Sequence, residues 1–271
     1  MISPRPSTKS DSEETSMRLA VLIDADNAQA AVIDGLLAEI ARFGEATVKR
    51  IYGDFTSTAS SSWKKVLQKY AIKPVQQFAY TTGKNATDST LIIDAMDLLY
   101  TRKFDGFCLV TSDSDFTGLA MRLREEGIMV FGFGEQKTPE AFKNSCHKFI
   151  FTEVLRPARP DRKAEAVKIA PRAKSIPAAI SASPLNNRPK SDADFPKDFI
   201  LDALEQSSDE EGWASLATFG RYLTKLKPDF DSRLYGFKKL SDLVKARNDL
   251  FVSEERLPPG AHQKVLFFRA K

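Results

Sequence analysis

The 271-residue chain is 42% hydrophobic and 28% charged, with a formal net charge of +4, two cysteines and two histidines. That balance supports a folded core and argues against wholesale disorder, and the length fits one sizeable domain plus a smaller one, since domains commonly run about 100–150 residues. Two cysteines give neither a disulfide ladder nor a paired zinc spacing, which points to a reducing interior. The mild positive charge permits a polyanionic partner without demonstrating one.

The first residues, MISPRPSTKSDSEETS, lack the apolar stretch of a signal peptide, and Asp11, Glu13 and Glu14 argue against a transit peptide. Residues 1–16 read as a disordered tail. No run approaches the ~20 apolar residues that cross a bilayer, so a soluble, cytoplasmic protein with no membrane partner is expected.

From Met17 to about Leu155 short apolar runs alternate with amphipathic segments, the pattern of a parallel sheet covered by helices. Strands are expected at RLAVLI (18–23), ATVKRIY (46–52), KPVQQF (73–78), GFCLV (106–110), IMVFGF (128–133) and KFIF (148–151). The first helix, AQAAVIDGLLAEIARFG (28–44), is expected to end on Gly44 as its cap, and SSSWKKVLQKYA (60–71) to start on serine caps. DSTLIIDAMDLLYT (88–101) is apolar on nearly every side and is expected deep against the sheet. Asp88 at its start, and Asp94 and Asp97 within it, are then costly unless partnered. SDFTGLAMRLREEG (114–127) ends on Gly127, and Cys108 reads as a core residue.

Residues 156–194 mix prolines and small residues with an excess of lysine and arginine. This is a flexible basic linker with a loose attraction for a phosphate backbone. Residues 195–271 then read as helix PKDFILDALEQS, helix ASLATFGRYLTKL, a turn at KPDFD, helix FKKLSDLVKARN, and a strand pair LFVSEERL and KVLFFRA. Three helices and a hairpin make a small winged-helix (α+β) unit. Lys238, Lys239, Lys245, Arg247 and Lys264 are candidates for one basic face, while Leu240, Leu243 and Val244 give a core face. Of Phe267 and Phe268, one is expected in the core and one less buried.

The apolar run RLAVLI stops on Asp24, Ala25, Asp26 and Asn27, and FCLV stops on Thr111, Ser112, Asp113, Ser114 and Asp115. In a parallel sheet those ends share one edge, where ligands bind. The helix that opens at Asp88 must start at the same edge, so Asp24 and Asp113 are expected as neighbours. Clustered carboxylates repel one another unless a cation neutralises them. A hard divalent ion with oxygen ligands, Mg2+ or Mn2+, answers that without a histidine, leaving His147 and His262 as bystanders. Asp, Asn and Ser also cap helices, so one DxD alone favours a cap; three coincident element ends favour a site. STASSSWKK offers hydroxyls with Lys64 and Lys65 as a phosphate track.

VLIDADN, GKNATD followed by LIIDA, and LVTSDSDF together resemble the three signature blocks of NYN domains, over Met17 to about Leu155. NYN domains are a branch of the PIN-like nuclease superfamily that includes the LabA-like proteins. The resemblance implies a Rossmann-like parallel sheet flanked by helices, and metal-dependent cleavage of RNA with Asp24, Asp88, Asp113 and Asp115 as metal ligands and catalytic acids. Asn27 matches the motif's asparagine and is expected to orient Asp24 or contact phosphate. Ser112 stands where relatives often have glycine, and KNATD replaces a KGVD-like block. Ser112 and Lys84 join Asn27, Lys64 and Lys65 as substrate-binding candidates. LYGFKKLSDLV and the strand pair after it resemble the OST-HTH, or LOTUS, winged-helix domain, which implies binding of RNA or a protein partner by residues 195–271.

A phosphatase of the haloacid dehalogenase type also ends a strand in DxD, but its pattern favours Thr or Val where Ala28 stands. GFGEQK lacks the third glycine of a dinucleotide loop and follows a late strand. The stronger rival is a non-cleaving RNA-binding adaptor that keeps the acids for structure.

Overall fold

The computed structural model describes residues 16–56, 61–78, 86–156, 195–257 and 264–271. The tail at 1–16 and the basic linker at 156–194 lie outside the described residues, apart from Ser16 and Arg156.

The first apolar run becomes β1 (Arg18–Asp24), in which Leu19 through Ile23 are all fully buried. Burial on both faces is what a central parallel strand requires. β2 (Glu45–Gly53) and β3 (Lys73–Gln76) pair on one side of it. β4 (Gly106–Val110), β5 (Met129–Gly134) and β6 (Lys148–Phe151) follow on the other, all parallel, in the order β3-β2-β1-β4-β5-β6. The chain builds outward from β1 to β3, then returns through α3 (Ala86–Tyr100) to start the other half beside β1. The direction of travel reverses between β1 and β4, where the flanking connections diverge and leave a crevice at the carboxyl edge.

Alternation along the strands divides the core in two. Leu19, Val21 and Ile23 face α1 (Ile33–Ile40) and α2 (Ser61–Tyr70), packing with Ile33, Leu36, Ile40 and Trp63. Ala20 and Leu22 face the opposite layer of α3, α4 (Thr117–Glu125) and α5 (Glu140–Ser145), packing with Leu91, Ala95, Leu119 and Phe142. Each of the buried Leu, Ile, Val and Phe side chains contributes about 1.5–3 kcal/mol. Slipping β1 by one residue would exchange the two sets, which fixes its register. Cys108 lies fully buried in the α1 layer as a free thiol, as its apolar neighbours indicate.

Several local expectations are corrected. α1 starts five residues later than the periodicity suggests, because Ala25–Gln29 are diverted around the Asp24 carboxyl and the chain enters the helix through a 3₁₀ turn at Ala30–Val32. Gly44 is not a left-handed cap. It lies where the chain grazes β1, and a Cβ there would stand 2.2 Å from the Met17 carbonyl oxygen. Gly127, at φ +77°, does supply the left-handed turn after α4, its N–H donating to the Arg124 carbonyl at 2.9 Å. α3 buries Leu91, Ala95, Leu98 and Leu99 but leaves Ile93 63% and Tyr100 66% exposed, so it packs on one side only. Asp94 is partnered within that layer, bonded to the Arg50 guanidinium and the Tyr52 hydroxyl of β2. α5 has only six residues, too few for a helical period to show in sequence.

The C-terminal unit contains α6 (Lys197–Ser207), α7 (Leu216–Leu226) and α8 (Leu240–Ala246), with β7 (Ala214–Ser215), β8 (Phe251–Arg256) and β9 (Val265–Ala270) in an antiparallel sheet of order β7-β9-β8. Phe268 is fully buried, edge-on to Phe219 and Phe251, while Phe267 is half-buried. α8 is shorter than expected because Gly236, at φ +85°, reverses the chain after a 3₁₀ turn at Ser232–Tyr235, and Lys239 is still extended. The expected basic face is partly neutralised. Lys245 pairs with Glu255 at 2.9 Å, and Arg247 pairs with Asp249 at 3.0 Å while stacking over Phe195.

Candidate metal centre

β1 carries its apolar run directly into Asp24, whose side chain has no exposed surface. A carboxylate so placed must be satisfied by hydrogen bonds. Its Oδ1 accepts from the Asp26 N–H at 3.0 Å, and its Oδ2 accepts from the Asn27 amide at 2.7 Å and the Thr111 hydroxyl at 2.9 Å. Burial nonetheless holds its pKa above the ordinary value, the bonds from Asn27, Thr111 and Asp26 pulling the other way. Asn27 is therefore an orienting partner of Asp24, one of the two roles its position implied.

On the neighbouring strand, Thr111 continues the β4–β5 ladder by donating its N–H to the Phe133 carbonyl at 2.9 Å. Its hydroxyl then ties two acids together, donating to Asp24 and accepting from the Asp113 N–H at 3.1 Å. Asp113 caps the 3₁₀ turn Ser114–Phe116, its Oδ1 accepting from the Asp115 N–H at 2.9 Å. The cap and the ligand readings of this DxD are thus compatible: one oxygen builds the turn that presents the other, together with Asp115, at the carboxyl edge.

Asp88 enters from the other side of the crevice, in the first turn of α3. Ligand oxygens of Asp88, Asp113 and Asp115 lie within 4.8 Å of one another. Asp24 stands outside that trio, and after desolvation its charge is the largest influence raising the Asp88 carboxyl, followed by Asp113, Asp115 and Asp26. The result is a pKa of about 6 for Asp88. An all-oxygen donor set whose neighbouring charges raise the Asp88 carboxyl fits a hard divalent cation, which would stabilise the shared negative charge.

The remaining candidates are placed differently. Ser112 is 8% exposed and its hydroxyl accepts from the Glu135 N–H at 2.9 Å, so it braces the ends of β4 and β5. Lys64 and Lys65 are exposed on α2, and Lys84 lies outside the described residues. His147 accepts the Val130 N–H through Nδ1 at 3.0 Å, at the start of β6 and away from the acids; His262 lies outside the described residues. Thr111, named in the sequence only as part of the stretch on which FCLV ends, is the group that links two of the acids. Its signal was a hydroxyl placed between the end of a strand and the first acid.

The NYN domain family matches residues 18–154, and the OST-HTH/LOTUS domain family matches residues 192–260. Three solved structures resemble parts of the chain. An uncharacterized protein of Nitrosomonas europaea solved by NMR is 62% identical over 34% of this chain and 89% of its own, with a TM-score of 0.29. A protein of unknown function from Vibrio parahaemolyticus is 15% identical over 52% of this chain and 96% of its own, with a TM-score of 0.44. A Chromobacterium violaceum protein solved by NMR is 30% identical over 27% of this chain and 77% of its own, with a TM-score of 0.23. No curated protein matches. With the switch-point crevice, the converging acids and half of its length matched by one family, the chain belongs to the NYN domain family and carries an OST-HTH/LOTUS domain behind it.

Proposed function

We propose that the chain is a divalent-metal-dependent endoribonuclease that hydrolyses RNA phosphodiester bonds in the cytoplasm, using a nuclease unit at 17–155, a basic linker at 156–194 and a winged-helix unit at 195–271. The NYN and OST-HTH/LOTUS domains make it a nuclease-like, RNA-binding protein. The observation that carries the finer reading is the approach of the Asp88, Asp113 and Asp115 ligand oxygens to within 4.8 Å, from the end of one strand and the start of one helix.

Asp88, Asp113 and Asp115 would hold Mg2+ or Mn2+, with Asp24 behind them as a ligand directly or through water. Such an ion, when bound, supplies a more acidic water and charge stabilisation for phosphoryl oxygens. The chain's own groups arrange the rest. Asn27, Thr111 and the Asp26 N–H fix the Asp24 carboxylate. Thr111 also fixes the backbone of Asp113, so two acids are registered to each other through one hydroxyl. Asp115 completes the set or positions the attacking water. Lys64, Lys65 and Lys84 serve the substrate's phosphates, Ser112 supports the loop beneath it, and the products carry a 5′-phosphate.

The test compares wild type with Asp113→Asn on labelled single-stranded and structured RNAs, in Mn2+ or EDTA. Cutting appears with Mn2+ and disappears with EDTA, and the variant loses about a hundredfold or more, at or beyond the cost of removing an outer-shell partner. Binding without cutting by either protein assigns the chain to the adaptor class instead.

A further inference from the structure

The connection between α7 and α8 is pressed against the sheet unit. The Phe149 N–H donates to the Pro228 carbonyl at 2.9 Å, and Lys143 pairs with Asp229 at 3.2 Å, both side chains largely buried. Arg233 bridges the units: it donates to Glu39 of α1 at 3.0 and 3.3 Å and to Asp231 at 2.7 Å. Leu234 joins the apolar cluster that contains Phe149 and Phe151. These contacts hold the start of α8 over the edge of the sheet where α1 ends and β6 begins.

Between the two units lies a cleft of about 310 Å3, lined by Arg42, Lys148, Arg233, Lys238 and Lys239 against the acids Glu39 and Asp231. The two acids are held by Arg42 and Arg233, so those four charges cancel. Lys148, Lys238 and Lys239 remain, and among the described residues no carboxylate lies within ion-pairing distance of them. Lys148 is half-buried with its ammonium 5.2 Å from the Phe43 ring centre. Burial lowers its pKa, while Asp231 and Glu39 pull the other way. A desolvated ammonium beside two further unpaired lysines is an arrangement that an anion would complete.

The chemistry of that anion follows from the elements that present the lysines. α8 follows α7 after a long connection, Lys227 to Lys239, that holds the 3₁₀ turn Ser232–Tyr235, and it directly precedes the β8–β9 hairpin, the place of the recognition helix in a winged-helix unit, whose start is the part that approaches nucleic acid. Here that start, Lys238 to Leu240, lines the cleft. We propose that this interdomain cleft binds phosphate groups of an RNA strand, Lys148 contributing from the sheet unit and Lys238 and Lys239 from the winged-helix unit. The proposal rests on the RNA-binding part of the function above and not on cleavage. Lys148 opens the outer strand β6 and is in register, through Phe131 and Cys108, with Val21 of β1, whereas the acids stand at the carboxyl edge that begins at Asp24. Asp24 thus lies about 10 Å further along the strands and three strands, about 14 Å, across the sheet. The cleft is therefore an anchor remote from the chemistry, and its loss acts on KM rather than on kcat.

The experiment uses the full chain carrying Asp113→Asn, in EDTA, with labelled single-stranded RNA followed by fluorescence anisotropy from about 50 to about 200 mM salt. Adding Lys148→Gln, Lys238→Gln and Lys239→Gln should lower the slope of log affinity against log salt by about 2, at about 0.7 for each single-strand phosphate that is no longer neutralised. Reckoned from 1 M salt, that slope corresponds to an affinity about a hundredfold lower at about 100 mM. Lys238→Gln with Lys239→Gln alone, both exposed and outside the core, should give about two-thirds of the slope change, which separates the effect from misfolding; Lys148→Arg should retain the slope. In a second arm, inorganic phosphate is tested for thermal stabilisation of wild type and the triple variant. An unchanged RNA slope overturns the proposal, and phosphate stabilisation that vanishes in the triple variant would then assign the cleft to a free phosphate compound. No RNA binding by the Asp113→Asn parent refutes the RNA-binding reading itself. Cleavage that fails while the slope change appears refutes only the nuclease.

Discussion

Replacing Asp88 with asparagine should stabilise the metal-free protein at neutral pH and weaken its response to metal. Desolvation and the charges of Asp24, Asp113, Asp115 and Asp26 push the Asp88 carboxyl from 3.8 up to about 6. Fully felt, that difference is worth about 3 kcal/mol. Water reaches this half-exposed group, and screening reduces the figure to ~1.5 kcal/mol. A carboxylate in the first turn of α3 also gains about 0.5 kcal/mol from the helix terminus, which asparagine forfeits. Desolvation and like-charge repulsion together therefore outweigh that gain, by about 1 kcal/mol. An acid whose folded-state pKa is raised keeps its proton longer when folded, so the native state binds more protons between about pH 4 and about pH 6, and wild-type stability falls as pH rises through that window. Asp88→Asn should match wild type near pH 4 and unfold about 2–4 °C higher above pH 6 in EDTA. Mn2+ at about a hundred times its dissociation constant should then add about 2.7 kcal/mol to wild type and much less to the variant, reversing the order. The assay is thermal unfolding of both proteins across that pH range, with EDTA and with Mn2+. A variant less stable at every pH, or stabilised by Mn2+ as much as wild type, would refute the like-charge account of the site.

Asp94→Ala leaves the Arg50 guanidinium without its carboxylate and the buried Tyr52 hydroxyl without its partner. Urea unfolding should show a loss of about 2–3 kcal/mol, with weaker Mn2+ stabilisation as α3 and Asp88 lose their anchor on β2. Thr111→Val keeps the shape of β4 but removes the hydroxyl joining Asp24 to Asp113. It should cost about 1–2 kcal/mol by the same measurement and lower Mn2+ affinity about 10–100-fold in a titration, while the Asp113→Asn protein shows no further loss from adding it.

The legible parts of this fold were those written locally. Leu19–Ile23 and Phe107–Val110 announce buried strands by unbroken apolar runs, and both end abruptly in acids because the edge of a parallel sheet is where backbone and solvent meet. What brings Asp24 within reach of Thr111 is strand order, a non-local pairing that no window of sequence contains. α3 illustrates a different limit. Ile93 and Tyr100 are apolar yet exposed, since composition states what a helix can bury and not how many neighbours it has. The charges of Lys245 and Arg247 likewise looked free until their partners Glu255 and Asp249 folded beside them.

Two of the acids, Asp24 and Asp113, sit at the ends of adjacent strands and share a hydroxyl, so they cannot move apart without tearing the middle of the sheet. Asp88 alone rides on a helix terminus, the sort of place where local opening costs least. The site thus has a rigid jaw and a compliant one. The dwell time of a cation should follow how tightly the first turn of that helix is wound, and substitutions that stiffen or loosen it should tune exchange without disturbing the jaw opposite.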